Sequence, residues 1–179
     1  MAILNLLYYP DKRLYLKAKK VTTFDKNLEK LVDDMAETMY HNDGCGLAAT
    51  QVNVLQQVIV VDPSPSDEES ALMALINPVI VAQDGQSIRK EGCLSVPLVY
   101  EEVVRAMKVK VEYQTITGKA ATIECEGLLA VILQHEIDHL HGKVFVDYLS
   151  NLKQNFIRKK LKKYSPADDN KATHDKSAY

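Results

Sequence analysis

The sequence contains no tryptophan, three phenylalanines and only seven glycines among its 179 residues. With six prolines, that leaves no room for collagen-like or low-complexity classes. Net charge is nearly absent as well, since 22 basic residues stand against 24 acidic ones. Such a balance excludes a chain-wide nucleic-acid footprint, and no sequence-specific nucleic acid is expected as a partner. Any basic patch must be local. No apolar run reaches the roughly 20 residues that a membrane span needs. The opening MAILNLLYYPDKR lacks a charged n-region and is broken by Asn5, Pro10 and Asp11, so neither a signal peptide nor a membrane anchor is expected. Three cysteines, Cys45, Cys93 and Cys125, are an odd number and too few for a disulfide framework. They indicate a reducing compartment, with thiols that are packed, reactive or metal-bound. A soluble cytoplasmic protein is expected.

What is present is enough for one core: 46% of the residues are hydrophobic and 26% charged. A single domain is expected over 1–165, followed by a polar, flexible tail over 166–179. Apolar residues at Leu28, Leu31, Val32, Met35 and Met39 recur at helical spacing after Asp25, a ready N-cap. β-type runs follow at 56–62, 74–81, 107–115 and 121–127, with Thr117-Gly118 as a turn. The segment 62–70 reads as a polar loop. A second helix, about 127–141, is apolar nearly all round and is therefore expected to be buried. A third should run from a Ser150 cap to Tyr164, packing Phe156, Ile157, Leu161 and Tyr164 on the body and projecting Arg158, Lys159 and Lys162. The fold class is α+β: mixed or antiparallel strands around a central buried helix, with one helix towards each terminus.

Three segments carry chemistry. His135-Glu136-Ile137-Asp138-His139 is an HExxH pattern. Histidines four apart share a helix face, so both imidazoles can reach one cation while the glutamate reaches a water held there. Two surface histidines beside a salt-bridged glutamate would look the same. The apolar remainder of the helix argues against that, because buried charge must be paired or metal-bound. Two histidines need a third ligand, and downstream lie only His141, Asp147 and the tail. Cys93, in KEGCLSVP, is the better candidate; a merely packed cysteine is the alternative, weakened by Gly92 before it and Ser95 after it. The third segment is Gly44-Cys45-Gly46-Leu47-Ala48-Ala49-Thr50-Gln51. Its glycines let backbone approach a ligand, and Gln51 can donate an amide N–H to an oxyanion. It reads equally as a helix stop followed by an alanine-rich strand.

Together GCGLAATQ, EGCLS and QHEIDHL, in this order and at these separations, closely resemble the three signature motifs of the peptide deformylase family. The resemblance runs from PDKRL to KVFVDYLSNLKQNFIRKKLKKY, and the C-terminal helix is similar to that of the type common in Gram-negative bacteria. It implies hydrolysis of the formyl group from N-terminal formylmethionine of newly made polypeptides, with release of formate. It also implies ferrous iron, Fe2+, with Ni2+ or Co2+ as working replacements and Zn2+ a poorer one. Cys93, His135 and His139 would hold the metal, and Glu136 would shuttle the proton. The Gln51 amide and the Leu94 backbone N–H would meet the oxyanion. Val131 and Ile132, with Leu94 and Cys45, would line the methionine pocket beside Gly44, Gly46 and the groove residue Tyr100. Glu91 would pair with Arg105 and steady the metal loop. The basic face of the last helix would dock on the ribosome near the exit, with no membrane partner. Three departures stand out: Cys45 where an aliphatic residue is usual, Asn53 where glycine is usual, and Tyr100 at a variable position. A zincin-type endopeptidase, needing a downstream ligand, and a structural metal site closed by Cys125 are the alternatives.

Overall fold

A computed structural model describes residues 2–64 and 70–164. The tail expected over 166–179 lies outside the described residues, as does most of the loop expected over 62–70.

Helix α1 (Lys26–His41) starts where Asp25 accepts hydrogen bonds from the Asn27 and Leu28 backbone N–H groups. It is followed by β1 (Gly46–Ala48), β2 (Val58–Val61) and β3 (Met73–Asp84). Two short strands, β4 (Ser87–Glu91) and β5 (Glu101–Arg105), form a separate two-stranded sheet. Strands β6 (Lys108–Gln114) and β7 (Ala120–Glu126) complete a five-stranded sheet in the order β1-β2-β3-β6-β7. Every strand pairing in both sheets is antiparallel.

The Val58-Ile59-Val60-Val61 run is buried throughout because both faces of β2 are covered. Val58 and Val60 pack with Leu28, Met35 and Met39 of α1. Ile59 and Val61 turn the other way and pack with Ala130, Leu133 and Ile137 of helix α2 (Gly127–Leu140). A period of two thus serves two cores, and α2 is the inner layer of one of them. Residues 127–140 therefore form the expected buried helix, and the α+β class holds.

Three details differ from the sequence reading. Strands β4 and β5 were not among the expected runs, since SIRKE and EEVVR are mostly charged and carry little apolar alternation; β1 is the short strand that one reading of GCGLAATQ allowed. β3 covers the expected run 74–81 and continues to Asp84, crossing Pro78, which a strand interior rarely tolerates. Here Asn77 takes a left-handed φ of 52° and the register to β6 shifts between Ile76 and Val79, so the proline sits at a bulge. Helix α3 (Asn151–Leu161) ends three residues early and buries Ile157 and Leu161, but Phe156 is 69% exposed. One residue before Ile157 is a 100° rotation, enough to carry the ring off the buried face.

Candidate active site

Helix α2 carries four buried polar side chains, Gln134, His135, Glu136 and His139, in an otherwise apolar helix. Gln134 is satisfied structurally: it accepts from the Ala106 backbone N–H at 2.9 Å and donates to the Ala106 and Ala130 carbonyls. The other three face a common point. Cys93, just beyond β4, places its Sγ 3.2 Å from His139 Nε2. One donor atom from each of Cys93, His135 and His139 lies within 4.8 Å of the other two.

Glu91 orients the first histidine. Its Oε2 accepts from His135 Nδ1 at 2.8 Å, which leaves Nε2 as that ring's free donor atom. The same carboxylate accepts from Arg105 Nε at 2.7 Å and Nη2 at 3.0 Å. Arg105 Nη1 reaches Asp138 at 2.5 Å, and Tyr148 OH donates to Asp138 at 2.8 Å. Arg105 is thus the basic partner of Asp138 as well as of Glu91. Burial pushes the Glu91 carboxyl up, but hydrogen bonds from His135 and Arg105 outweigh burial and hold it at about 2.

The donor set fits a divalent transition metal. One thiolate and two imidazoles suit iron, zinc, nickel or cobalt. Burial holds the His139 pKa well below its ordinary value, keeping the ring a neutral donor. At His135 burial acts in the same direction, but the hydrogen bonds to Cys93 and Glu91 overcome it and favour the protonated ring. The field that holds a proton there is one that a bound cation would also satisfy. Cys125 lies on β7, packed against the core of the main sheet, and is not in the described cluster. That leaves no closed four-ligand site among the described residues. The third donor precedes HExxH in the chain, unlike the downstream ligand of a zincin.

Beside the donors lies a cavity of about 220 Å³. Leu128, Val131, Ile132, Cys45 and Leu94 supply its apolar wall, and Glu136 also lines it. Glu136 is 4% exposed and its Oε2 has no hydrogen-bond partner; burial pushes its carboxyl up to about 7. Two glycines approach closely: a Cβ on Gly46 would stand 2.5 Å from Glu136 Oε1 and displace that carboxylate, and one on Gly44 would stand 2.8 Å from Leu94 Cδ1. Gln51 accepts from the Ala48 N–H at 2.8 Å and donates to Ser95 Oγ at 3.1 Å, with its amide nitrogen 3.5 Å from Cys93 Sγ. The turn after it is made by Asn53 at φ 62°, the left-handed position that asparagine tolerates. Tyr100 stands under Lys90, whose Nζ is 5.5 Å from the ring centroid, and Tyr100 is not part of the cavity wall. Sequence reasoning missed Arg89, Lys90 and Leu128, which do line the cavity; the first two belong to the unrecognised strand β4.

If Glu91 fixes the His135 ring, Glu91→Gln should weaken zinc binding about 10–100-fold in a chelator competition. Affinity should also fall as pH is lowered, because protons and metal compete for the same donors. Unchanged zinc affinity in the variant would mean that the ring is held by packing alone.

Residues 3–155 match the family model described as polypeptide deformylase. "Peptide deformylase 1" of Burkholderia multivorans is 53% identical over 168 residues, covering 93% of this chain and 92% of that protein. The peptide deformylase of Neisseria gonorrhoeae is 53% identical over 163 residues, covering 91% and 96%. Among solved structures, a peptide deformylase from Legionella pneumophila superposes with a TM-score of 0.87 at 47% identity, covering 96% of this chain and all of that one. The Ehrlichia chaffeensis enzyme in complex with actinonin gives a TM-score of 0.85 at 40% identity, covering 97% and 100%. On this similarity, spread over nearly the whole length of both partners, the chain belongs to the polypeptide deformylase family.

Proposed function

We propose that this chain hydrolyses the formyl amide of N-formylmethionyl termini on newly made polypeptides, and that Cys93, His135 and His139 hold its metal. The observation that carries the reading is Glu136, a buried carboxylate with an unpartnered oxygen that lines the same largely apolar cavity as Cys93 and His135 of the three-donor cluster. Fe2+ is the assigned metal, with Ni2+, Co2+ or Zn2+ able to substitute; the thiolate-imidazole donor set and the family resemblance support it. When bound, such a cation polarises a carbonyl and lowers the pKa of water.

The chain's own residues do the rest. Glu136 takes a proton from the attacking water and delivers it to the amine nitrogen as the carbon–nitrogen bond breaks, leaving formate. A carboxyl raised to about 7 suits both halves of that transfer near neutral pH. The Gln51 amide and the Leu94 backbone N–H donate to the oxygen on which negative charge develops. One such donor is worth about 3–4 kcal/mol where it has been removed from other enzymes. Val131 and Ile132, with Leu128 and Cys45, receive the methionine side chain. Strands β1 and β4 are each the terminal strand of their sheet and both border the cavity, so a substrate backbone can bind as an added strand between them.

Residues 1–165 act as one catalytic domain in this account, in the cytoplasm where formylated chains are made. No described helix is long and apolar enough to cross a membrane. On α3 the exposed Arg158, Lys159 and Lys162 form a basic face that suits the polyanionic ribosome surface near the exit. Lys160 is engaged instead with the Leu98 carbonyl at 2.8 Å.

Formyl-Met-Ala-Ala should be hydrolysed by iron-loaded protein kept from air, while Glu136→Ala should keep its metal and lose turnover. Metal lost along with activity would make Glu136 a ligand and sink the assignment. Changing Arg158, Lys159 and Lys162 to glutamate should weaken ribosome pelleting most at low salt. Equal pelleting by parent and variant would reduce α3 to a brace.

A further inference from the structure

The cavity wall includes two cations that the reaction does not use, Arg89 and Lys90, and they differ in their surroundings. Arg89 is exposed on β4, lines the cavity, and makes no hydrogen bond or ion pair among the described residues. Its alternation matters. Residues 87, 89 and 91 share one face of the strand, and that face bears the buried Glu91 and sits opposite the buried Val103 and Arg105 of β5. Lys90 also borders the cavity, but it alternates to the other face of the strand, with Glu102 as its cross-strand neighbour and the Tyr100 ring 5.5 Å from its ammonium. Two carboxylates close to Arg89 are already engaged, Glu91 by Arg105 and His135, and Glu101 by Lys153 at 2.6 Å. Arg89 is thus an uncompensated positive charge on the cavity face of the strand along which substrate runs.

The geometry points to Arg89 as a specificity-determining residue that selects an acidic side chain at the third residue of the formylated chain. This rests on the proposed deformylase reading and on substrate bound as an added strand. In such a strand the first and third side chains share a face and lie about 6.6 Å apart. Along β4 the step from Glu91 to Arg89 is also two residues on one face. With the methionine directed into the apolar wall beside Glu91 and Cys93, the third side chain arrives at Arg89, and the second projects away. A guanidinium fork there pairs with Asp or Glu and repels Lys.

The test compares kcat/KM of the iron-loaded enzyme on formyl-Met-Ala-Glu-amide, formyl-Met-Ala-Gln-amide and formyl-Met-Ala-Lys-amide, the amide removing the terminal carboxylate. Glu should exceed Lys by about three- to tenfold at low ionic strength, with Gln between, and the ratio should shrink as salt screens the exposed pair. The ratio should fall to about one in Arg89→Ala, invert in Arg89→Glu and persist in Arg89→Lys. Moving the glutamate to the second residue should abolish the gain. A ratio near one in the parent, a ratio that survives Arg89→Ala, or one lost in Lys90→Ala instead would overturn the assignment. If none of the three peptides is hydrolysed, the deformylase reading itself fails, which is a different result from equal rates on all three.

Discussion

Arg105 keeps a full charge inside the protein, and the site depends on the partners that let it. Transferring such a group from water costs several kcal/mol after relaxation. Here Glu91 meets it with two hydrogen bonds and Asp138 with a third. The Tyr148 ring lies 4.7 Å from the guanidinium carbon and its hydroxyl closes on Asp138. A buried network of this kind is weak evidence for stability, because an apolar replacement often does as well. Its worth lies in orientation. Glu91 is held ionised between Arg105 and His135, and its hydrogen bond to Nδ1 sets the direction of the His135 ring.

That network ties three distant stretches of chain together. Glu91 precedes Cys93 by two residues, His135 and Asp138 lie on α2, and Arg105 ends β5 just before the main sheet resumes at β6. The loop that carries Cys93 is therefore clamped to the helix that carries His135 and His139. The opposite wall comes from β1, where Gly46 allows strand and helix to approach so closely that a methyl group would collide with Glu136. The sheet contributes by covering α2: with Ile59, Val61 and Leu75 against it, the helix can be apolar on nearly every side. The polar residues left on it are then either satisfied, as Gln134 is, or aimed at the site.

How much was legible follows from which signals are local. The HExxH pair needs only helical periodicity, and Cys93 followed from the lack of a downstream donor and from its glycine neighbour. The core helix and the Asp25 cap were equally local. Strands β4 and β5 were not, because SIRKE and EEVVR hold their place through a two-stranded ladder and a buried ion network that form only in the tertiary structure. Missing β4 concealed Arg89, whose meaning depends on strand parity relative to Glu91. Phe156 failed for the opposite reason: its apolar character suggested burial, whereas the position of Ile157 on the helix decided which face turned inward.

The proposed metal centre has three donors, one sulfur and two imidazoles, with Glu136 outside it. X-ray absorption at the zinc edge of zinc-loaded protein tests this most directly. The account predicts one sulfur at about 2.3 Å and two histidine nitrogens at about 2.0–2.1 Å, with the sulfur contribution lost in Cys93→Ser and unchanged in Cys125→Ser. Two sulfurs in the parent spectrum, or a sulfur contribution that survives Cys93→Ser, would contradict it.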